Sequence, residues 1–157
     1  MVIISRKVDY AILALFHLAK TESASARELA GAYQLSRPFV ANILKALCQA
    51  GFVLSQRGVR GGYRLARPAK EITLSQVIAA LDGPFQLMSC AEDDNEDACR
   101  LNSMCPIKGP LRAIHARLIE LLGSVTVEDL MVQPELVTIS MGYQEPATAT
   151  LPPCTGD

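Results

Sequence analysis

Three cysteines, Cys90, Cys99 and Cys105, sit at spacing C-x8-C-x5-C on one hydrophilic stretch. Between the first two lie five carboxylates: Glu92, Asp93, Asp94, Glu96 and Asp97. Such a segment cannot bury an apolar face, so it is predicted to be a surface loop. A free cysteine normally behaves as a small buried hydrophobe. Several on one polar loop point instead to thiolate ligation of a metal or an iron–sulfur cluster. Three thiolates and one further ligand suit tetrahedral zinc equally well, and the sequence does not separate the two. The other two cysteines are not expected to be ligands. Cys48 reads as a packing residue beside Leu47, and Cys154 lies in a proline-containing tail.

The elements that position this loop must fit in 157 residues, about one domain with an appendage. Half the residues are apolar, enough for a substantial core. The net charge of −1 is uninformative, but its distribution is not. Residues 1–70 carry 11 Lys/Arg against 3 Asp/Glu, and residues 71–157 carry 4 against 13. That asymmetry predicts a nucleic-acid-facing first half, the alternative being two solvated faces. The apolar run Tyr10–Ala19 is ten residues long and contains His17, too short to span a bilayer. With no secretory signal, a cytoplasmic protein outside any membrane is expected. No P-loop, dinucleotide fingerprint or nucleophile–histidine arrangement is present, so no enzyme is expected.

Val8, Ile12, Leu15 and Ala19 recur at helical spacing and predict a first helix over about residues 7–20. Asp9 falls in its first turn, where a carboxylate interacts favourably with the helix dipole. Ser25 and Glu28 form a capping-box signature that opens a short second helix to Tyr33. Ser36 is expected to cap a third helix, with Pro38 in its first turn and Gly51 closing it. Val40, Ile43, Leu44 and Leu47 are its predicted buried stripe. Two short helices joined by a tight turn form a helix-turn-helix pattern. Two predicted strands, 52–57 and 63–66, follow around Gly58-Val-Arg-Gly-Gly62. A helix-turn-helix followed by a basic, glycine-rich hairpin is a winged helix. Arg57, Arg60, Arg64 and Arg67 supply charge to this wing. The expected DNA contacts are Ser36, Arg37, Phe39 and Lys45 on the third helix. On the wing they are Arg57, Arg60, Gly61 and Tyr63.

Thr73 and Gln76 form another capping box, opening a helix that stops at Asp82-Gly83-Pro84. After the cysteine loop, Ile107, Leu111, Ile114, Leu118 and Leu121 recur at steps of 4, 3, 4 and 3. This heptad seam predicts a dimerisation helix, the alternative being an ordinary core helix. Thr126 is expected to cap a last short helix through Met131. The fold class is therefore mainly α with a small β-hairpin: a winged helix-turn-helix domain plus a long C-terminal dimerisation helix. Its expected parts are a DNA-binding domain (1–83), a cluster-binding loop (84–106), the dimerisation and terminal helices (107–131) and a disordered tail (132–157).

Taken together, these residues resemble the iron–sulfur-dependent winged-helix transcription regulators of bacteria, the IscR, NsrR and RirA type. The resemblance covers about residues 1–131. It rests on the wing Arg57-Gly-Val-Arg-Gly-Gly-Tyr63-Arg-Leu-Ala66, the helix start at Ile72-Thr-Leu74, and three cysteines ahead of a long helix. It implies a homodimeric repressor on a palindromic operator, with Cys90, Cys99 and Cys105 as cluster ligands. The IscR type has a histidine three residues after the last cysteine, where this chain has Lys108. The first cysteine gap is also longer here than in that type. The nitric-oxide-sensing NsrR type uses an aspartate in the first helix, reached across the dimer, and Asp9 stands at that place. The resemblance thus implies a 4Fe–4S rather than a 2Fe–2S cluster, with Asp9 of the partner subunit as fourth ligand. His17, His115, a free thiol or water are the alternatives. Nitric oxide, redox state, oxygen and iron supply are the candidate signals. A zinc-binding or cluster-free thiol-switch regulator of the same fold is the other reading.

Overall fold

A computed structural model of the chain describes residues 4–56, 61–88, 101 and 104–132. Seven regular elements follow in order: α1 (Arg6–Thr21), α2 (Ala26–Ala32), α3 (Arg37–Gln49), β1 (Val53–Gln56), β2 (Gly62–Leu65), α4 (Leu74–Asp82) and α5 (Lys108–Ser124). Three-residue 3₁₀ turns occur at Ala69–Glu71 and Asp129–Met131. The fold class is the expected one, a helix-turn-helix with a two-stranded wing and a long C-terminal helix.

The core lies between α1 and everything that packs on it. Val8, Ala11, Ala14, Leu15 and Leu18 form the buried face of α1. Val40, Ile43, Leu44 and Leu47 of α3 meet it, as the spacing predicts. Val77 and Ile78 of α4 and Val53 of β1 complete the cluster. Removing each such aliphatic side chain from water contributes roughly 1.5–3 kcal/mol.

The turns within the helix-turn-helix are set by local chemistry. Ser25 and Glu28 form the predicted capping box at the start of α2. The N–H and hydroxyl of Ser25 hold the Glu28 carboxyl below the usual carboxylate range. Its stabilising effect is therefore present above that range and is lost as pH falls through the lowered value. At the end of α2 the Leu35 N–H donates to the Ala30 carbonyl at 2.9 Å. This six-residue closure requires a left-handed residue, and Gln34 supplies it at φ 54°. The end of α3 closes the same way. Phe52 N–H reaches Leu47 O at 3.0 Å and Gly51 N–H reaches Cys48 O at 3.1 Å, with Gly51 at φ 76°. Ser36 departs from expectation. It occupies the N-cap position of α3, but its side chain makes no capping hydrogen bond.

The hairpin is antiparallel, with Val53 opposite Leu65 and Gln56 opposite Gly62. Its free edge takes a third, one-residue partner. Ala24 N–H donates to Tyr63 O at 3.0 Å and Tyr63 N–H to Ala24 O at 2.8 Å. This fixes the wing against the entrance of α2. It also gives Gly62 a structural role that the sequence does not announce. A Cβ there would lie 2.8 Å from Ala24 O.

The C-terminal part returns to the core. Leu74 N–H donates to Val125 O and Val127 N–H to Ile72 O, both at 2.9 Å. Val127 is fully buried. The predicted last helix is only the 3₁₀ turn Asp129–Met131. Thr126 makes the expected capping bond, its hydroxyl accepting the Asp129 N–H at 3.2 Å, and Asp129 Oδ2 accepts in return from the Thr126 N–H at 2.7 Å and hydroxyl at 2.6 Å. Those bonds hold the Asp129 carboxyl below its ordinary value.

Gly62→Ala should therefore lower stability by about 1–3 kcal/mol, as forced overpacking does. A thermal melt followed by circular dichroism should show a Tm loss of several degrees. An unchanged Tm would mean that the wing edge and the α2 entrance are not in contact.

Candidate functional site

The outer face of α3 is set by what its inner face buries. With Val40, Ile43, Leu44 and Leu47 turned inward, Arg37, Pro38, Asn42, Lys45 and Gln49 are exposed, as is Ser36 before them. Of the residues expected at this face, Ser36, Arg37 and Lys45 are there. Phe39 is placed differently. It is half-buried, with its ring edge-on to Tyr10 of α1 at 5.0 Å and 89°. It braces α3 on α1 rather than projecting from it. Neither residue type nor motif marks Asn42 and Gln49 in the sequence. The signal for them is periodicity alone: they lie opposite the apolar stripe.

On the wing, Gly61 and Tyr63 are half-buried, and Tyr63 is held by its bridge to Ala24. Arg57 and Arg60 lie outside the described residues. Arg64 is exposed on β2. Arg67 is not part of a basic surface. Its guanidinium lies 5.1 Å from the Phe52 ring centre and donates to Gln76 Oε1 at 3.1 Å. Gln76 also receives the Thr73 N–H at 3.3 Å, which closes the predicted capping box of α4. Arg67 thus ties the wing exit to α4. Lys20 is exposed, with its ammonium 4.3 Å over the Phe16 ring.

α4 contacts both α1 and α5. The α4 C-terminus meets the α1 N-terminus in a reciprocal pair of contacts. Asp82 Oδ2 accepts the Ser5 N–H at 3.2 Å, and Lys7 Nζ donates to Leu81 O at 3.0 Å. Each charge lies at the unfavourable end of its own helix and reaches the favourable end of the other, Asp82 the α1 N-terminus and Lys7 the α4 C-terminus. Asp9 is exposed one turn further along α1, and its N–H donates to Ser5 O at 3.1 Å. Beyond Gly83, Leu87 N–H donates to His115 Nδ1 at 3.3 Å and the Phe85 ring stacks on the imidazole at 6.1 Å and 11°. His115 is buried at 5% exposure and anchors α5 to this strand of chain. His17 is also engaged, its Nδ1 3.2 Å from the Tyr33 hydroxyl. Both histidines thus have structural contacts.

Cys90 and Cys99, with their intervening carboxylates, lie outside the described residues, as does the tail from residue 133 with Cys154. Cys105 is a half-exposed free thiol two residues before the N-cap of α5. Cys48 is half-buried against the core, as a packing cysteine should be. Among the described residues no three potential ligands come together around a metal position. The apolar seam on α5 is only partly covered by its own chain. Leu111, Leu118 and Leu121 are half-buried, while Ile114 is 49% exposed. Ile107 is 57% exposed and is the N-cap residue rather than part of the helix. Leu101 and Met104, exposed at 57% and 73%, extend this bare apolar region toward Cys105. No described helix is long and apolar enough to cross a membrane.

This architecture has counterparts. The family model Rrf2, described as an iron-dependent transcriptional regulator, matches residues 4–133. The protein aau3 of Rhizobium meliloti is 33% identical over 145 residues, covering 91% of this chain and 94% of that one. The HTH-type transcriptional regulator NsrR of Oceanobacillus iheyensis is 28% identical over 145 residues, covering 90% and 98%. Among solved structures, CymR, the global cysteine regulator of Bacillus subtilis, superposes with a TM-score of 0.69 at 29% identity, covering 83% and 97%. The winged helix, the long C-terminal helix and the match over nearly all of the described residues agree: the chain belongs to the Rrf2 family of transcriptional regulators, and is not an enzyme.

Proposed function

We propose that the chain is a cytoplasmic, homodimeric, operator-binding repressor whose DNA affinity is set by an iron–sulfur cluster on Cys90, Cys99 and Cys105. The observation that carries this reading is the placement of Cys105. It is a half-exposed thiol two residues before the N-cap of α5, next to an apolar seam that its own chain covers only in part, and among the described residues no other group of potential ligands comes together. A cluster with thiolate ligands carries negative charge, and the N-terminus of a helix favours an anion. The donor set fits: three thiols on a polar loop, with an exposed carboxylate on α1 for the remaining position. When bound, the cluster would supply an iron centre reactive toward nitric oxide or oxidants. The chain's own residues fix the segment that leads into the loop: Ser5 to Asp82 and Lys7 to Leu81 at the end of α4, then His115 to Phe85 and Leu87. Ser36, Arg37, Lys45, Arg57 and Arg60 form the DNA face, and Ile107, Leu111, Ile114, Leu118 and Leu121 the dimer seam.

A second reading is a regulator of the same fold that uses the thiols without a cluster. The similarity to a global cysteine regulator favours it. An absorption spectrum of protein purified without oxygen separates the two. Charge-transfer bands in the visible are expected, retained with alanine at Cys48 or Cys154 and lost with alanine at Cys90, Cys99 or Cys105. A colourless protein sinks the cluster reading and leaves zinc or bare thiols.

Asp9 of the partner subunit is the proposed fourth ligand. A carboxylate holds iron less firmly than a thiolate does, so an iron held by Asp9 would be the more readily lost. Asp9→Ala should speed cluster loss under nitric oxide or air. Wild-type kinetics of bleaching and wild-type operator affinity would reduce Asp9 to a residue that stabilises its own helix end.

For the dimer, Ile107 and Ile114 are the sharper targets, because they are exposed in the single chain. Glutamate at both should yield monomers in sedimentation. It should also weaken operator binding by tenfold or more, since a single half-site lacks the avidity of two. A double variant that still sediments as a dimer places the interface elsewhere.

A further inference from the structure

We propose that Asn42 and Pro38 together read an adenine and a nearby thymine in each operator half-site. The inference rests on the operator-binding reading above and deepens it to a base. Several features of α3 select these two side chains. Phe39 is committed to Tyr10, and Val40, Ile43 and Leu44 are buried. Ala41 is half-buried. Within the N-terminal two turns, where recognition helices meet base edges, the exposed side chains are Arg37, Pro38 and Asn42. Arg37, at the first position of the helix, can take a phosphate or a guanine. Pro38 and Asn42 are four residues apart and share one helix face.

Their chemistry is specific. A carboxamide in the major groove matches adenine bidentately, with Oδ1 accepting from N6–H and the Nδ2–H donating to N7. The proline ring offers only apolar surface, which suits the thymine methyl group. Four residues of helix rise about 6 Å, and bases are about 3.4 Å apart, so the thymine lies within about two base pairs of the adenine. Lys45, one turn further, is a point charge suited to phosphate and carries no base code. Gln49 has the same carboxamide chemistry as Asn42, but lies at the last residue of the helix, away from the reading end.

Selection of bound duplexes from a random library by the full-length chain, purified without oxygen, tests this. The wild type should enrich a palindrome with a fixed adenine. Asn42→Ala should lose preference at that one position, while Gln49→Ala keeps it and Lys45→Ala weakens all sequences evenly. Asn42→Ala places the best helix former at an exposed site, so the fold should persist. On the enriched duplex, 7-deaza-adenine at that position should lower wild-type affinity roughly five- to hundredfold and leave Asn42→Ala unaffected. Uracil in place of the neighbouring thymine should cost about fourfold. An unchanged motif in Asn42→Ala, or equal losses in both proteins with 7-deaza-adenine, overturns the assignment of adenine to Asn42. Full affinity with uracil overturns that of thymine to Pro38. Failure of the wild type to enrich any motif would instead sink the operator reading itself.

Discussion

The burial of one face of α1 is the constraint on which the other elements depend. Val8, Leu15 and Leu18 of that helix are at most 1% exposed, and α3, α4 and the hairpin all pack on it. At roughly 1.5–3 kcal/mol each, these side chains outweigh any single surface contact in the molecule. The recognition helix is therefore aimed by α1: its inner stripe is fixed there, and Phe39 is locked on Tyr10. The wing packs on α1 through β2 and is further fixed by the two hydrogen bonds between Ala24 and Tyr63 that the absence of a Cβ at Gly62 permits. Position 24 follows α1 immediately, so the helix that carries Asp9 also sets the wing.

Much of this architecture is legible in the sequence, because burial and capping leave local marks. The α3 stripe Val40, Ile43, Leu44 and Leu47 is buried as its spacing requires. Both capping boxes, at Ser25 and Thr73, form as their residue types dictate. What the sequence hides is long-range pairing. Nothing near Gly62 points to Ala24, and nothing near Val127 points to Ile72. Arg67 illustrates the same limit for charge. It counts as basic wing surface in a sequence, yet in the fold it lies over Phe52 and bonds Gln76. Phe39 reads as an aromatic at the head of a recognition helix until Tyr10 is seen beside it. For the cysteine loop, spacing and composition remain the argument, since only Cys105 of the three lies among the described residues.

The contacts at the junction of α1 and α4 are weak enough to serve in control. The pairs Ser5–Asp82 and Lys7–Leu81 are exposed, and hydrogen bonds of this kind contribute about 0.5–1.5 kcal/mol each. Allosteric coupling is typically about 1–3 kcal/mol. Such contacts can be made and broken within that range, whereas peeling α1 from the core cannot. The C-terminal end of α5 is also bound to the core, through Val127 and the Ile72–Leu74 pairing. His115 holds its middle to Phe85 and Leu87. Within one chain, the DNA-binding unit and α5 therefore move largely together.

That leaves the relation between the two copies of the proposed dimer as the soft coordinate. A palindromic operator presents half-sites at a fixed separation, so binding both depends on the distance and angle between two recognition helices. Rotation of one rigid protomer against another about an interface is a common form of switching, and it needs no local unfolding. A ligand that bridges Asp9 of one chain to thiols of the other would act on that coordinate directly. Losing the bridge would leave each protomer intact while changing the spacing of the pair. The affinity for one half-site would then be nearly unchanged, and the avidity for two would fall. Control by this route places the sensitivity where, among the described residues, large apolar side chains are most exposed, at the start of α5, and the stability beneath α1, where they are buried.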